Sequence, residues 1–295
     1  MTKALVFLRS FGDFTIAISV LRKSSKLEGY VFYASKHLEP LYLDLKKSLP
    51  DVDLNIHFID LEIKKKVFGF FTNKHSIELH SFRELMNLKR WVRRMRDEGL
   101  KVEGFSGLSI KGTAFLFEQR RKQWFIAPYL GETFPYIHKK SRNIYQSYFQ
   151  HFGVEPGQLL IQNPVPSELK KVLLLPESRK PSKSFKPLFI HQLTKSLLIK
   201  GFEVTTGFFK HAPLQTEGKV AIHVAFADLI DLIKDADLVV TADSLPAHLA
   251  QLLGKPHFVY YEANPNQEWT TPFCNLNKAY GVMGNLASLQ TYINA

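Results

Sequence analysis

The chain has 295 residues, 45% hydrophobic and 22% charged, which fits two globular domains or one large one and excludes a disordered chain. A single cysteine excludes an intramolecular disulfide and a cysteine-rich zinc site, and is typical of a reducing compartment. The 39 Lys and Arg residues outnumber the 27 Asp and Glu residues, and the net charge of +12 favours an anionic partner: nucleic acid, a membrane surface or phosphorylated ligands.

Short β-like runs alternate with helical patterns along the chain. We predict strands over 3–8, 29–35, 54–60, 170–176, 202–209, 220–225, 237–243 and 255–262. Helical patterns cover 14–24, 38–48, 81–99, 187–201, 226–236 and 244–254. Because this alternation is typical of βαβ units, we expect an α/β protein in which each half is a doubly wound parallel sheet.

The sequence predicts neither a membrane-spanning segment nor a secretory signal. No apolar run approaches the ~20 residues that span a bilayer. The first thirteen residues are too soon interrupted by charge to resemble a secretory signal. We therefore expect a cytoplasmic protein.

The charge is distributed unevenly. Residues 1–150 carry 26 Lys and Arg against 15 Asp and Glu, a net of +11, whereas residues 151–295 carry 13 against 12, a net of +1. The first half is therefore expected to face the anionic partner. The second half is left to bind a small ligand with a few local groups.

A proline-rich stretch marks the domain boundary. Two prolines in residues 162–167 (QNPVPS) interrupt regular structure where the charge changes. We predict Rossmann-like domains at 1–163 and 167–275 that face each other across a cleft. The remaining segment, 276–295, is expected to form a turn and a helix from Leu286 that packs back on the first domain.

The basic runs allow more than one interpretation. Lys64, Lys65 and Lys66 directly precede the aromatic run 67–71 (VFGFF), which suits a loop at a bilayer interface. A core strand flanked by lysines explains the same pattern equally well. For the amphipathic helix at 81–99, whose outer face is basic, a solvated surface is the favoured interpretation.

Two motifs follow predicted strands, at the sheet edge where open α/β folds bind ligands. The first is RSFGD (9–13), in which Gly12 permits a turn and Asp13 lies near a helix N-terminus; by itself the motif favours an N-cap aspartate over a functional carboxylate. The second is TADSLPAHLA (241–250), in which helix N–H groups and the Ser244 hydroxyl are placed for a diphosphate. His248 lies one turn further on, and a capped helix with an interior histidine is the alternative.

The second motif carries a family resemblance. Residues 228–256 resemble the donor-site signature of the bacterial lipopolysaccharide heptosyltransferases, glycosyltransferase family 9, with its Asp-Thr/Ser-Gly-Pro-x-His-x-Ala core. Further segments resemble that family in the family's order, and they span nearly the whole chain: 9–24, 105–117, 138–154 and 175–185. The resemblance implies a GT-B fold, that is, two Rossmann-like domains facing a cleft.

The resemblance also implies a reaction. Family members are inverting, metal-independent enzymes that transfer heptose from ADP-heptose to the inner core of lipopolysaccharide. No cofactor or metal is then expected beyond an ADP-linked sugar donor. The partners would be that nucleotide sugar and an anionic lipid-linked saccharide at the cytoplasmic face of the bacterial inner membrane.

Roles carry over by position. Asp13 would be the general base on the acceptor hydroxyl. The donor would contact a set of second-half residues: Ser178, Lys183, Asp243, Ser244, Leu245 and His248. The acceptor would contact a set of first-half residues: Gly12, Lys64, Lys65, Lys66, Lys111 and Arg120.

The chain also departs from the family pattern. Leu245 stands where the family usually has a glycine against the diphosphate, and Phe185 replaces a tryptophan. No acidic residue closely follows Gly207 for the ribose; Glu217 is the nearest. These differences motivate an alternative function, a catalytically degenerate GT-B protein that binds saccharide.

Two other functions explain less of the sequence. A GT-B epimerase is less favoured because the motifs resemble those of transferases. The charge alone suggests nucleic-acid binding, but no recognition motif accompanies it, so no specific nucleic acid is expected.

Overall fold

The computed structural model describes residues 2–8, 10–61, 66–68, 77–79, 82–104, 143–159, 169–212, 216–265 and 267–294. The strands of the first half are β1 (Lys3–Phe7), β2 (Tyr30–Ser35), β3 (Ile56–Ile59), β4 (Lys66–Phe68), β5 (Ile77–Leu79) and β6 (Lys101–Gly104). Its helices are α1 (Phe11–Leu21), α2 (Glu39–Ser48), α3 (Phe82–Asp97) and α4 (Ile144–Phe152). Four of the strands form a parallel sheet in the order β3-β2-β1-β6.

The second half contains a larger sheet. Its strands are β7 (Lys171–Leu175), β8 (Glu203–Phe209), β9 (Lys219–His223), β10 (Leu238–Ala242), β11 (His257–Tyr261) and β12 (Tyr280–Val282). Its helices are α5 (Pro187–Ile199), α6 (Phe226–Asp235), α7 (Leu245–Leu252), α8 (Pro272–Asn277) and α9 (Ala287–Ile293). The six parallel strands lie in the order β12-β11-β10-β7-β8-β9.

The strand orders locate the ligand-binding edges. Within each half, the sheet runs outward in both directions from its first strand, β1 or β7, and the second half has the full order of a dinucleotide-binding fold. The predicted parallel α/β architecture is confirmed. The switch points lie between β1 and β6 and between β7 and β10, so the two predicted motifs follow switch-point strands.

Two hydrophobic clusters hold the molecule together. One lies within the second half, between its sheet and α5, α8 and α9. The other crosses the halves: α1 and α4 pack against each other, α1 also packs against α7, and α2 against α6. Every residue of α1 from Phe14 to Leu21 is buried, because helices of both halves pack around this helix.

Two hydroxyls in α1 lie inside this core. Thr15 donates to the Phe11 carbonyl at 2.8 Å, and Ser19 donates to the Thr15 carbonyl at 2.8 Å. Because these bonds satisfy both groups within the helix, the polar side chains are buried without an unpaired donor.

The segment after residue 276 differs from our expectation. Among the described residues it packs on the second half: β12 pairs in parallel with β11, and Leu289 and Tyr292 of α9 lie in the second-half cluster. The predicted helix after Leu286 is present. Its apolar face matches the core beside it, and the short strand covers an edge of β11. The predicted boundary at 163–167 lies outside the described residues.

Of the run of lysines and aromatic residues, the structure describes only residues 66–68; Phe70 and Phe71 lie outside the described residues. Lys66–Phe68 pairs antiparallel with Ile77–Leu79 in a separate two-stranded sheet. These three residues therefore form a strand, but they lie outside the parallel sheets of the described chain.

Candidate active site

The first motif forms the start of α1. Ser10 is the N-cap: its Oγ accepts the backbone N–H of Asp13 at 3.4 Å and donates to Asp13 Oδ2 at 2.8 Å. The alternative in which Asp13 is itself the N-cap is therefore wrong. The carboxylate lies in the first helical turn, half-buried, where the helix dipole favours negative charge. Ser10 was missed as a functional residue, although a serine three positions before an acid is the sequence signal of a capping box.

An ion pair joins two of the predicted donor residues. Lys183 Nζ donates to Asp243 Oδ2, with side chains 30% and 10% exposed. Lys183 lies in the loop after β7, and Asp243 directly follows β10. The two neighbouring strands at the switch point thus bring a cation and a carboxylate together.

The two predicted serines lie at the same edge of the second-half sheet, in the loops after β7 and β10. Ser244 Oγ donates to the backbone carbonyl of Glu177 at 3.2 Å and also lies 3.4 Å from the Ala242 carbonyl. Ser178 Oγ accepts the N–H of Lys180 at 3.4 Å. The Ser244 hydroxyl therefore ties the loop after β10 to the loop after β7.

Leu245 begins α7, and the fold accommodates it. Its half-buried side chain packs against the cluster shared by the two halves. Pro246 has no N–H, and the Ala247 N–H donates to the Ser244 carbonyl at 3.2 Å. The side chain that stands in the place of the family's glycine is thus held by the core.

His248 is buried one turn into α7. Its Nδ1 lies 3.1 Å from the Tyr145 hydroxyl, which comes from α4 of the first half. Burial lowers the pKa of His248 to about 4, and the charge of Lys183 acts in the same direction while that of Asp243 opposes it. The imidazole is therefore neutral near pH 7.

The two motifs meet. Gly12 lies within α1 rather than in a turn before it, and a Cβ built on it would lie 3.4 Å from His248 Cδ2, so the first turn of α1 packs against α7. Beside it, the rings of Phe11 and Phe226 are 4.7 Å apart. Residues more than 230 positions apart in the sequence thus form one site at the boundary between the halves.

A carboxylate that the sequence did not indicate lies at the end of β8. Glu177 Oε2 accepts the N–H of Phe209 at 2.6 Å. The Phe209 ring lies 5.6 Å from that of His223, and Lys210, at a φ of +67°, holds its Nζ 5.1 Å from the same ring. Glu177 follows β7 rather than β8, so a search for an acid after Gly207 could not find it.

Most of the predicted acceptor residues cannot be placed. Lys64, Lys65, Lys111 and Arg120 lie outside the described residues, and Lys66 begins β4. Phe185, the counterpart of the family tryptophan, is buried in the second-half core, 5.7 Å from the ring of Tyr260.

The basic helix has the predicted amphipathic form. In α3, Val92 and Met95 are buried, and Trp91 packs edge-on against Tyr33 at 5.2 Å. The arginines whose side chains are described face solvent: Arg90, Arg93, Arg94 and Arg96. Within the described ranges, no three His, Cys, Asp or Glu side chains are grouped as metal ligands. No helix in the described part of the chain is long and apolar enough to cross a membrane.

A family model for glycosyltransferase family 9 (heptosyltransferase) matches residues 104–290, more than half of the chain. The chain belongs to glycosyltransferase family 9. It is accordingly a glycosyltransferase, and its α/β architecture is the GT-B fold. No curated protein sequence matches the chain.

Solved structures of family 9 proteins share this fold over the whole chain. Escherichia coli ADP-heptose lipopolysaccharide heptosyltransferase II is 15% identical, with a TM-score of 0.56 and 99% of each chain covered. E. coli heptosyltransferase WaaC with ADP is 12% identical, with a TM-score of 0.56 and coverage of 100% of this chain and 99% of that one. A family 9 glycosyltransferase from Veillonella parvula is 14% identical, with a TM-score of 0.55 and coverage of 99% and 97%.

Proposed function

We propose that this family 9 glycosyltransferase transfers a sugar, heptose by resemblance, from an ADP-linked donor to the lipopolysaccharide inner core or a related lipid-linked saccharide. The observation that carries the proposal is the proximity of Gly12, in the first turn of α1, to His248, which unites the carboxylate motif with the donor motif. One side of the site supplies a base, and the other supplies positive charge for a leaving diphosphate.

Asp13 is the proposed general base. A carboxylate oxygen takes the proton of the acceptor hydroxyl, and the hydroxyl oxygen forms a bond to the anomeric carbon of the donor. The bond from that carbon to the diphosphate breaks, and the electron pair leaves with the phosphate oxygen. Attack from the face opposite the diphosphate inverts the anomeric centre.

The second half stabilises the leaving group. Lys183 is already directed into the site by Asp243, and α7 begins directly beside this pair. The Lys183 cation, together with the backbone N–H of Leu245 at the start of α7, supplies the stabilisation without a metal ion. Asp243 then has a second task, because its remaining oxygen is available to the transferred sugar.

The first half supplies the surface for the acceptor. Arg90 and Arg93 lie on the exposed face of α3 within the half that carries a net charge of +11. Phosphorylated saccharide and anionic lipid both attract such a face, at about 1 kcal/mol per cation near the membrane surface. We place the enzyme at the cytoplasmic face of the inner membrane as a peripheral protein.

A transfer assay tests the proposal. Purified protein is incubated with ADP-heptose, or with UDP- and GDP-sugars, and with a deacylated inner-core oligosaccharide, and products are identified by mass spectrometry. We expect a product one sugar heavier with ADP-heptose, and NMR of the new linkage to show an inverted anomeric centre. Retention of configuration contradicts the role of Asp13.

Calorimetry separates the enzyme from the alternative, a catalytically degenerate saccharide-binding protein. The observation that favours this alternative is that the Ser244 hydroxyl already donates to the Glu177 carbonyl. The enzyme binds ADP and the acceptor. A protein that binds the oligosaccharide tightly, shows no affinity for any nucleotide and makes no product is the saccharide-binding alternative.

A further inference from the structure

We propose that Tyr145 is a positioning residue that fixes the tautomer of His248 and so presents an Nε2–H donor to the active site. The proposal rests on the proposed function only in assigning His248 to the donor site. It concerns a residue of the first half that acts on a residue of the second, across the boundary where the two motifs meet.

Tyr145 is held firmly in place. It is fully buried near the start of α4, and its backbone N–H donates to the side-chain oxygen of Asn143 at 3.0 Å. The Asn143 amide donates to the backbone carbonyls of Gln267 and Thr270, both at 2.8 Å, and the Ile144 N–H donates to the Glu268 carbonyl. The helix that carries the phenol is thus bonded directly to the second half.

The hydrogen bond has one favourable direction. Among the described residues, the Tyr145 hydroxyl has His248 Nδ1 as its partner, at 3.1 Å. A buried phenol whose proton finds no acceptor is unfavourable, because the lost hydrogen bond to water is not replaced. The Tyr145 O–H therefore donates to Nδ1, and a neutral imidazole that accepts at Nδ1 carries its proton on Nε2.

The charges around the ring agree with a neutral imidazole. Burial is the main cause of the lowered His248 pKa, and the two charged groups that act on the ring are Asp243 and Lys183, with opposite effects. Burial also raises the pKa of Tyr145 well above its ordinary value, so the phenol keeps its proton.

The consequence lies on the other edge of the ring. Cδ2, which is bonded to Nε2, is the atom that faces Gly12. The Nε2–H donor therefore belongs to the ring edge directed towards the first turn of α1, which contains Gly12 and Asp13. A polar oxygen of the donor or acceptor that enters between the two motifs meets a fixed donor, whose orientation is set from α4.

The test replaces Tyr145 with phenylalanine, which removes one buried oxygen. In ¹⁵N NMR of histidine-labelled protein, the wild type is expected to show His248 as the Nε2–H tautomer, and Tyr145→Phe is expected to show a substantial fraction of the Nδ1–H form. The kcat is expected to fall about tenfold while the KM for the acceptor changes little.

Two controls keep structure and positioning apart. Tyr148→Phe removes a hydroxyl from an equally buried tyrosine one turn along α4, and should leave the His248 tautomer and kcat unchanged. In a His248→Asn background, Tyr145→Phe should have little further effect on kcat, because both changes remove one interaction.

Some outcomes overturn the proposal: an unchanged tautomer in Tyr145→Phe, or independent effects of the two changes on kcat. If wild-type protein transfers no sugar, the proposed function fails, but the NMR comparison of the wild type, Tyr145→Phe and Tyr148→Phe still decides the tautomer.

Discussion

The two strand-end motifs carry opposite charges, and in each motif the charge differs from the character of its own half. In the strongly basic first half, the central group is a carboxylate, Asp13, held by the hydroxyl of Ser10. In the nearly neutral second half, the central group is a cation, Lys183, held by Asp243. The net charge of a domain therefore describes what its surface attracts, whereas the proposed chemistry depends on a few charges at the strand ends.

The two halves also differ in how much of the site they bury. Asp13 is half-buried at a helix start, whereas His248 lies within α7 and is almost fully covered. Hydrogen bonds across the boundary join the two halves: Arg22 donates to the Leu252 carbonyl at 2.8 Å, and Lys234 donates to the Ser48 carbonyl at 3.1 Å. The site is consequently formed at a packed boundary that shares one hydrophobic cluster.

The largest effect is expected at the carboxylate. Asp13→Asn keeps the shape of the side chain but removes the base, so we expect turnover to fall by about 10²–10⁴-fold while ADP affinity stays near wild type. Mass-spectrometric rates and calorimetry measure the two quantities. Asp53→Asn is the matched control, since that carboxylate is 75% exposed and pairs with Lys46 of α2. Undiminished turnover in Asp13→Asn removes this residue from the mechanism.

Acid sensitivity should belong to the second half. Burial lowers the pKa values of His248 and His257 to about 4, from 6.5. Both are neutral in the folded protein but take up protons when unfolded below pH 6.5. Because only the unfolded state binds these protons between pH 6.5 and 4, the free energy of unfolding is highest above pH 6.5. It decreases as the pH falls towards 4, by about 3 kcal/mol for each histidine.

Urea unfolding at a series of pH values checks this. Replacing His257 with glutamine should flatten the decline, whereas replacing the exposed His211 should leave it unchanged. A free energy of unfolding that stays constant from pH 6.5 to 4.5 contradicts the assignment.

The cation of the second half is the next target. Lys183→Gln removes a charge from the proposed diphosphate site and leaves Asp243, 10% exposed, without its ionic partner. We expect ADP to bind about 100-fold more weakly, a loss typical of truncating one member of a charge pair. Lys195→Gln changes an exposed lysine on α5 and serves as the control in calorimetry. Equal ADP affinity in the two variants argues against a phosphate contact at Lys183.

The smallest effect is expected at the basic surface. Replacing Arg90 and Arg93 with glutamine should weaken binding to vesicles with anionic lipid by about 30-fold at low salt, at about 1 kcal/mol per arginine. The same change at Lys195 and Lys200 removes equal charge from the second half and should have little effect. Co-sedimentation at increasing salt distinguishes the two. Equal losses would mean that the charge asymmetry does not orient the protein on the membrane.

Much of the fold could be predicted from local patterns. Alternating apolar strands and amphipathic helices predicted the βαβ order, and Gly201 ends α5 at a φ of +86°, as expected for a helix terminated by glycine. The pattern placed the start of α1 at Phe14, whereas the helix begins at Phe11, because the cap is formed by Ser10. Three short strands, β5, β6 and β12, escaped prediction because strands of three or four residues carry little periodicity.

The candidate site was predicted as two separate motifs. Their residue types, a carboxylate after a glycine and a serine and histidine at a helix start, indicated base and phosphate chemistry. Local sequence does not record distance, however, so the ion pair of Lys183 with Asp243 and the position of Glu177 beside Phe209 emerged only from the sheet order.

The sequence by itself determined the parallel α/β architecture, the uneven charge and the residues of both motifs. The charge is a count of residues, and the architecture and the motifs follow from patterns within short stretches of the chain. Only the tertiary structure decided that α1 packs against α7, that the C-terminal strand joins the second sheet, and that Tyr145 bonds to His248. These contacts join positions far apart in the chain. They form because apolar faces of separate elements are buried together, and that burial brings Gly12 against the donor-side histidine.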